Sequence, residues 1–497
     1  MKDEVLRMER VTCIKEGVTL LQNFNLNIYR GEILGLLCVN DNGLESLLEL
    51  ITENKPIHYG RVYFHEHLIN NHLHSNYSRN RVAVIGKQSS LVDQLTVADN
   101  VFVLRDGFKQ HVIRSNSFES QFQVLCKELN LSISAGAYVD RLTTFERCII
   151  ELIKAVATGI RLIVIRDVSN FISAVDLERL HSAIRLYANR GISFLYVCNH
   201  HEEIFRICDR TAMMENGRII RLLAKEDMNA RGMEHYMQAM ITANIRQNEP
   251  QATRTPQKRQ QPVLEFKDVM TETMNKMSFS VYPGECVVLL DINNTTQVDF
   301  FNLLSGQTKP LQGTIMLKGA PLKSYLQRRL IALVREKPTQ SMLFPDISYV
   351  DNLCLLVDQR MKKVWSSVRI RESIMDRYYP VVGEDIYAPD LTKLSTKALY
   401  SLVYNRIDFQ HPLVSVCVQP FSGADFYLRL HVIRLIRKLL QRGIAVVILA
   451  VSLSDSLQLA DRLLVVKEGL ICMEYGKTEI AHFKTDNSGF QDTIETE

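Results

Sequence analysis

No stretch of the 497-residue chain approaches the roughly 18 consecutive apolar residues that a membrane-spanning helix requires, so direct insertion into a bilayer is not expected. The opening residues, MKDEVLRMERV, carry charge and lack an apolar core of signal-peptide length. Ten cysteines are present, yet none forms a CxxC pair or lies at zinc-site spacing from histidine. Neither a metal site nor a disulfide framework is therefore indicated. Unpaired thiols at this density suit a reducing compartment, and the expected location is the cytoplasm. An excess of charge is missing too. Lys plus Arg number 59 against 55 Asp plus Glu, a formal net charge of +4 that is too small for a dedicated nucleic-acid surface. With 46% hydrophobic and 23% charged residues, the chain is neither disordered, collagenous nor a coiled coil. At roughly 100–200 residues per domain, two or more domains are expected.

What is present is a duplication. Gly31-Glu32 opens GEILGLLCV and recurs as Gly284-Glu285 in GECVVLLDI, 253 residues on. Gly60 in YGRVYF matches Gly313 in QGTIML at the same offset. Asp209-Arg210 matches Asp461-Arg462, and Gly217 matches Gly469, both at 252. One offset held across such separated landmarks marks two copies of one domain. The copies are placed at residues 1–243 and 264–497. Between them, Asn244–Val263 is rich in Gln, Pro, Arg and Thr without hydrophobic periodicity and reads as a solvated tether.

Each copy reads as α/β. Short apolar runs predict buried strands at Ile33–Val39, Val82–Ile85, Leu162–Ile165 and Phe194–Cys198. Their counterparts are Cys286–Leu290, Ile331–Val334, Leu413–Val418 and Ala445–Leu449. Amphipathic stretches such as Phe145–Thr158 and Asp176–Asn189 predict helices between them, which favours a parallel sheet flanked by helices.

The landmarks follow the order of an ABC-type ATPase domain. The best-preserved stretches are LQNFNLNIYRGEILGLL, LVDQLTVADNVF, CDRTAMMENGRI and ADRLLVVKEGLI. The two-copy plan resembles the tandem ATPase subunits of bacterial sugar importers, of the ribose, galactose and xylose kind, over about Val5–Met240 and Val263–His482. The resemblance implies two tandem P-loop NTPase-like domains, each a mostly parallel sheet core with an antiparallel β part and a helical subdomain. It also implies that ATP and magnesium bind between paired domains, whose closure drives a membrane permease.

The positions that would do this chemistry depart from the family's pattern. The family's phosphate loop is GxxGxGK[ST]: glycines admit backbone N–H groups to the phosphates, the lysine neutralises them, and the hydroxyl ligates magnesium. Copy one has Cys38, Val39, Asn40, Asp41, Asn42, Gly43, Leu44, Glu45 and Ser46 there, with Leu44 for lysine and Glu45 for the hydroxyl. Copy two has Asp291, Ile292, Asn293, Asn294, Thr295, Thr296, Gln297 and Val298, with Gln297 for lysine and Val298 for the hydroxyl. No GxxxxGK[ST] occurs anywhere in the chain. The strand expected to end in Asp-Glu ends in Arg166-Asp167 in copy one and in Val418-Gln419 in copy two. The glutamine-loop position holds Lys87 and Glu336, and the adenine-stacking position holds Lys15. The signature segments Leu142–Arg147 and Leu391–Lys397 contain no glycine, and the switch histidine is replaced by Asn199 and Val451, with His200 and His201 out of register.

Phosphoryl transfer is almost entirely positioning and charge stabilisation by such parts. Each lost charge-assisted hydrogen bond removes roughly 1.5–3 kcal/mol, and Glu45 adds repulsion toward a polyphosphate. The expectation is thus a catalytically degenerate, ABC-like scaffold or regulatory protein with no catalytic residue, no metal site and no cofactor. The alternative is a working ATP-binding subunit that uses ATP and magnesium. Its partner would be a membrane permease subunit or a signalling protein, reached through Ser89–Phe102 and Thr339–Leu355, and the two halves are expected to pack on each other. The resemblance implies that the loop hydroxyl and the strand-end acid face one another across the metal, and the residues at those positions look self-consistent in both copies. Glu45 should pair with Arg166, and Val298 should pack beside Val418.

Overall fold

A computed structural model of the protein describes residues 3–15, 17–73, 80–103, 115–229, 261–322, 330–355, 368–451 and 456–480. Most of the tether predicted between the copies lies outside them. The chain divides into two compact units, Met1–Thr253 and Arg254–Glu497.

The first unit contains β1 (Glu4–Lys15), β2 (Val18–Tyr29), β3 (Ile33–Cys38), β4 (Tyr59–Phe64) and β5 (His67–Asn71). It continues with β6 (Val82–Ile85), β7 (Leu162–Arg166), β8 (Ser193–Val197), β9 (Arg210–Glu215) and β10 (Arg218–Ala224). One sheet is antiparallel, in the order β2-β1-β4-β5. The other runs β6-β7-β8-β3-β9-β10 and is parallel except for the β9/β10 hairpin.

The second unit repeats this plan. Its strands are β11 (Leu264–Met270), β12 (Met277–Val281), β13 (Cys286–Asp291), β14 (Gln312–Leu317) and β15 (Ala320–Pro321). They are followed by β16 (Ile331–Val334), β17 (Val414–Val418), β18 (Ala445–Ala450), β19 (Arg462–Lys467) and β20 (Leu470–Gly476). The sheets run β12-β11-β14-β15 and β16-β17-β18-β13-β19-β20. Strand for strand, this is the order of the first unit.

The central strands explain why their sequences do not alternate. β3 and β13 are buried at every position, because one face packs against the antiparallel sheet and the following helix while the other is covered by helices. The helix Leu44–Glu53 lays Leu44, Leu47, Leu48, Leu50 and Ile51 into the same core as Leu34 and Leu36.

Element ends moved by a residue or two where a cap decides them. The helix predicted at Phe145–Thr158 spans Thr144–Ala157, because Thr143 and Glu146 form a reciprocal capping box. The one predicted from Asp176 begins at Ala174, since the Ser173 hydroxyl accepts from the Asp176 N–H. Val39 falls beyond β3, its N–H already turned to the Met214 carbonyl.

The helical parts are pinned alike. Asn100 is fully buried, accepts from the Val92 N–H and donates to the Val92 and Thr96 carbonyls. Asn352, at the matching position, accepts from the Phe344 N–H and donates to the Phe344, Ile347 and Ser348 carbonyls.

Candidate functional site

In each unit the central strand runs into a short loop and then a helix, which is where the resemblance places the phosphate loop. Both loops are tied to the following hairpin by an asparagine: the Asn216 N–H donates to Asn40 Oδ1 at 3.0 Å, and the Glu468 N–H to Asn293 Oδ1 at 3.0 Å. Asn40 and Asn42 also donate to Asn216 Oδ1, at 3.0 and 3.2 Å. These contacts fix where each loop meets the hairpin.

Gly43 survives for a packing reason. It has φ of 86°, and a Cβ there would stand 2.1 Å from the Leu20 carbonyl oxygen. Only glycine fits. Leu44, at the lysine position, begins the helix Leu44–Glu53 and is 3% exposed in the core, so that position offers no cation to the loop. Cys38 is buried below it and Ser46 half-buried beyond it.

Glu45 points the other way. It forms an ion pair and hydrogen bond with Arg166 at the end of β7. Arg166 Nε also lies 3.8 Å from Asp167 Oδ2. Burial disfavours the charged guanidinium, but the hydrogen bond and charge of Glu45, with Asp167 and Asp41, outweigh it and push the pKa of Arg166 up. Asp167 is left-handed at φ 50° and precedes a short 3₁₀ turn, Val168–Asn170, which its side chain does not cap.

The second unit fills the same place without an ion pair. Asp291 ends β13, is buried, and accepts at Oδ2 from the Thr296 N–H at 2.7 Å and the Thr296 hydroxyl at 2.8 Å. Asn294 takes a left-handed φ of 54°, which asparagine tolerates. Gln297, first residue of the helix Gln297–Ser305, is buried and accepts at Oε1 from Gln419 Nε2 at 3.1 Å. The lysine-position and strand-end residues are thus joined by one neutral amide contact.

The expected valine pair does not form as an enclosed contact. Val298 is 68% exposed, whereas Val418 is half-buried against the core of the second unit. Successive helical residues point about 100° apart, so with Gln297 facing the strand end, Val298 is turned to solvent.

The remaining positions are occupied by local structure. Glu336 accepts from the Ser422 hydroxyl at 2.9 Å. Lys87 is exposed, and so is Lys15 at the end of β1. In the signature segments, Thr143 takes the Glu146 N–H while the Glu146 carboxylate takes the Thr143 N–H, and the Ser395 hydroxyl takes the Ala398 N–H. At each of these helix starts one of the otherwise unpartnered N–H groups is thus taken by the chain's own side chain. Asn199 and His200 are half-buried between β8 and the helix His201–Ile207, His201 Nε2 lies 3.6 Å from Glu202 Oε1, and Val451 is buried.

One buried cluster escaped sequence reasoning. His181 Nε2 lies 2.9 Å from Tyr196 Oη, Tyr196 donates to Glu203, and Cys198 Sγ donates to Glu203 Oε2 at 3.2 Å. Ser169 Oγ stands 3.9 Å from Cys198 Sγ. Burial, with the nearby Arg206 charge, lowers the His181 pKa to about 3, and burial raises that of Glu203. At the positions matching Ser169, His181, Tyr196 and Cys198 the second unit has Phe421, Ile433, Ile448 and Ala450, all in its apolar core, while the Glu203 position stays acidic as Asp455. The signal was available only as a contrast between copies: polar residues in one register, apolar in the other.

Tested against ATP and magnesium, these residues do not fit. The loops offer no lysine, the Glu45 carboxylate is held by a guanidinium, and Val298 has no ligating atom.

The profile of the ABC transporter family matches residues 21–167. The chain is 23% identical to the xylose import ATP-binding protein XylG of Moorella thermoacetica, over 97% of this chain and 98% of that one. It is 20% identical to the galactose/methyl galactoside import ATP-binding protein MglA of Haemophilus influenzae, over 95% of each chain. With the ribose import ATP-binding protein RbsA of Clostridium perfringens it shares 21% identity over 96% of each. Among solved structures, the archaeal ribosome recycling factor aABCE1, crystallised with the stalk protein aP1, superposes with a TM-score of 0.59 at 14% identity. That match covers 96% of this chain and 92% of the other. At such identity the likeness speaks for the fold, two tandem ABC-type domains.

Proposed function

From the resemblance of this chain to the tandem ABC-type ATP-binding subunits of bacterial sugar importers, we propose that it is a catalytically silent form of such a subunit. It serves as a scaffold or regulatory partner in sugar uptake or sensing. The observation that carries this reading is the Glu45–Arg166 ion pair. These two residues stand where the resemblance places the two protein groups nearest magnesium, so a guanidinium supplies from within the chain the positive charge that a metal would bring. When bound, ATP with magnesium would supply the energy for domain closure; here the chain's own residues hold the loop instead. Leu44 is in the core, and Gln297 is tied to Gln419.

A second reading is a working ATP-binding subunit of a carbohydrate importer. The names of the three relatives favour it, since each is an import ATP-binding protein. Calorimetric titration of the full chain with ATP, with and without magnesium, together with phosphate release, separates the two. The silent reading expects no saturable binding and background turnover. Stoichiometric binding with turnover above background establishes the second reading.

Under either reading the protein is cytoplasmic and reaches the membrane through a permease subunit or signalling protein. Among the described residues no helix is long and apolar enough to cross a bilayer. The contact surface proposed is Ser89–Phe102 with Thr339–Leu355. Val92 and Phe344, at matching positions, are 43% and 57% exposed there. Asp99 and Asp351 do not serve as probes of it, because they accept from Thr96 and Ser348 in local caps and Asp351 also pairs with Arg371. Joint Val92→Asp and Phe344→Asp substitution should release a copurifying partner; undiminished copurification counts against this surface.

A further inference from the structure

The loop of the second unit already contains a carboxyl group of its own. The first N–H groups of a helix lack intrahelical partners, and the helix dipole adds positive potential, so such a loop attracts phosphate or carboxylate. In the stretch between β13 and Gln297–Ser305 the Thr296 N–H and hydroxyl both point at one carboxylate oxygen, Asp291 Oδ2. Asp291 is 2% exposed. Its other oxygen, Oδ1, is buried without a hydrogen-bond partner, and so is the amide nitrogen of Gln297.

An ordinary helix cap looks different. Asp425 is itself the residue before the helix Phe426–Gln441 and accepts from the Leu428 N–H at 2.7 Å. Asp291 instead reaches from the end of the central strand, five residues back, and leaves one oxygen unpaired in the interior. A residue retained only to cap would not need that placement.

We infer that Asp291 is a built-in ligand of the phosphate loop, closing the second unit to phosphate-bearing molecules independently of the missing lysine. The inference rests on the catalytically silent reading and deepens it. The first unit has Cys38 at this position, with no carboxylate beneath the loop, and Glu45 and Arg166 pair across its mouth instead.

The inference makes the order of repair matter. Gln297→Lys alone would place an ammonium beside the Asp291 carboxylate, which would neutralise it. Lysine and an emptied loop are needed together. The test is calorimetric titration of the full chain with inorganic pyrophosphate, comparing the native protein, Gln297→Lys, and Gln297→Lys combined with Asp291→Ser. A second double variant carrying Asp291→Asn keeps an acceptor for Thr296 without charge and guards against misfolding, with cooperative melting checked for each. Because one charge-assisted hydrogen bond is worth a factor of ten or more, the folded double variant should bind at least about tenfold more tightly than Gln297→Lys alone. Equal affinity of the single and double variants, or no gain in any folded double variant, overturns the built-in ligand. Saturable ATP binding by the native protein would instead overturn the silent reading.

Discussion

Glu45 and Arg166 meet as opposite charges in the first unit, and Gln297 and Gln419 meet as neutral amides over a buried aspartate in the second. Nearby, the first unit buries His181, Tyr196, Cys198 and Glu203 in a hydrogen-bonded cluster where the second packs Ile433, Ile448 and Ala450. The surrounding frame does not share these differences. Strand order, loop-to-hairpin asparagines and the buried Asn100 and Asn352 are common to both. The lesson is that this architecture is held by its own packing and backbone hydrogen bonds, leaving the loop chemistry free to diverge.

The sharpest way to break the comparison is at the helix start. Gly43→Ala drives a Cβ against the Leu20 carbonyl at φ 86°, while its counterpart, Thr296, carries a Cβ at φ −90°. The substitution should destabilise the first unit by about 3 kcal/mol or more, through backbone displacement and a disfavoured dihedral. Thr296→Ala should cost the second less, about 1.5 kcal/mol, because it removes one hydrogen bond to the Asp291 carboxylate and leaves the Thr296 N–H in place. Denaturant unfolding that resolves two transitions checks both values, and equal effects would refute the contrast.

A smaller effect is expected from acid. His181 is depressed in the folded state to about 3, so it is buried neutral. Its contribution is complete above the unfolded pKa of about 6.5 and is lost as pH falls toward 3. At about pH 4.5 the loss amounts to roughly 2–3 kcal/mol. Glu203 is raised, so its contribution has the opposite sign, present below the unfolded pKa of 4.5 and lost as pH rises through the folded value. His181→Ile, which copies Ile433, should flatten the acid limb of the first unit's melting curve. An unchanged limb would show that the histidine is not what titrates. The second unit is not free of such a group: His431, bonded to Ser401 at 2.7 Å, is lowered to about 4 by burial, with Lys397 and Arg434 adding to it.

The smallest effect belongs to the ion pair. With Glu45 68% and Arg166 34% exposed, solvent screens it, and a double-mutant cycle of Glu45→Gln with Arg166→Ala should give a coupling of about 0.5 kcal/mol. Arg166→Ala alone strands little buried charge, contrary to what a buried pair would imply. A coupling above about 2 kcal/mol would mean that the pair is desolvated in solution.

Much of the frame was legible because duplication and continuous apolar strands are statements about periodicity, which a chain displays openly. β3 and β13 could be read from their composition alone. The Glu45–Arg166 contact was legible because, in the sugar-importer ATPases that the chain resembles, these two positions flank the magnesium. The valine pair was misread because it depends on helix rotation. Asp291 closing on Thr296 depends on the path of a five-residue loop, and the His181 cluster gathers side chains from three separated segments; neither leaves a local pattern.

The sheet order has a consequence for how the protein is made. β3 is complete at Cys38, but both of its neighbours, β8 and β9, lie beyond residue 192. At about 5–20 residues per second, the ribosome delivers those partners roughly 8–30 seconds later. Through that interval an entirely apolar strand waits without its neighbours, although the antiparallel sheet β2-β1-β4-β5 can form once Asn71 has been made. The same delay returns for β13, whose partners β18 and β19 begin at Ala445 and Arg462. Each half of the nascent chain therefore passes through its own aggregation-prone window, and the first closes before the second opens.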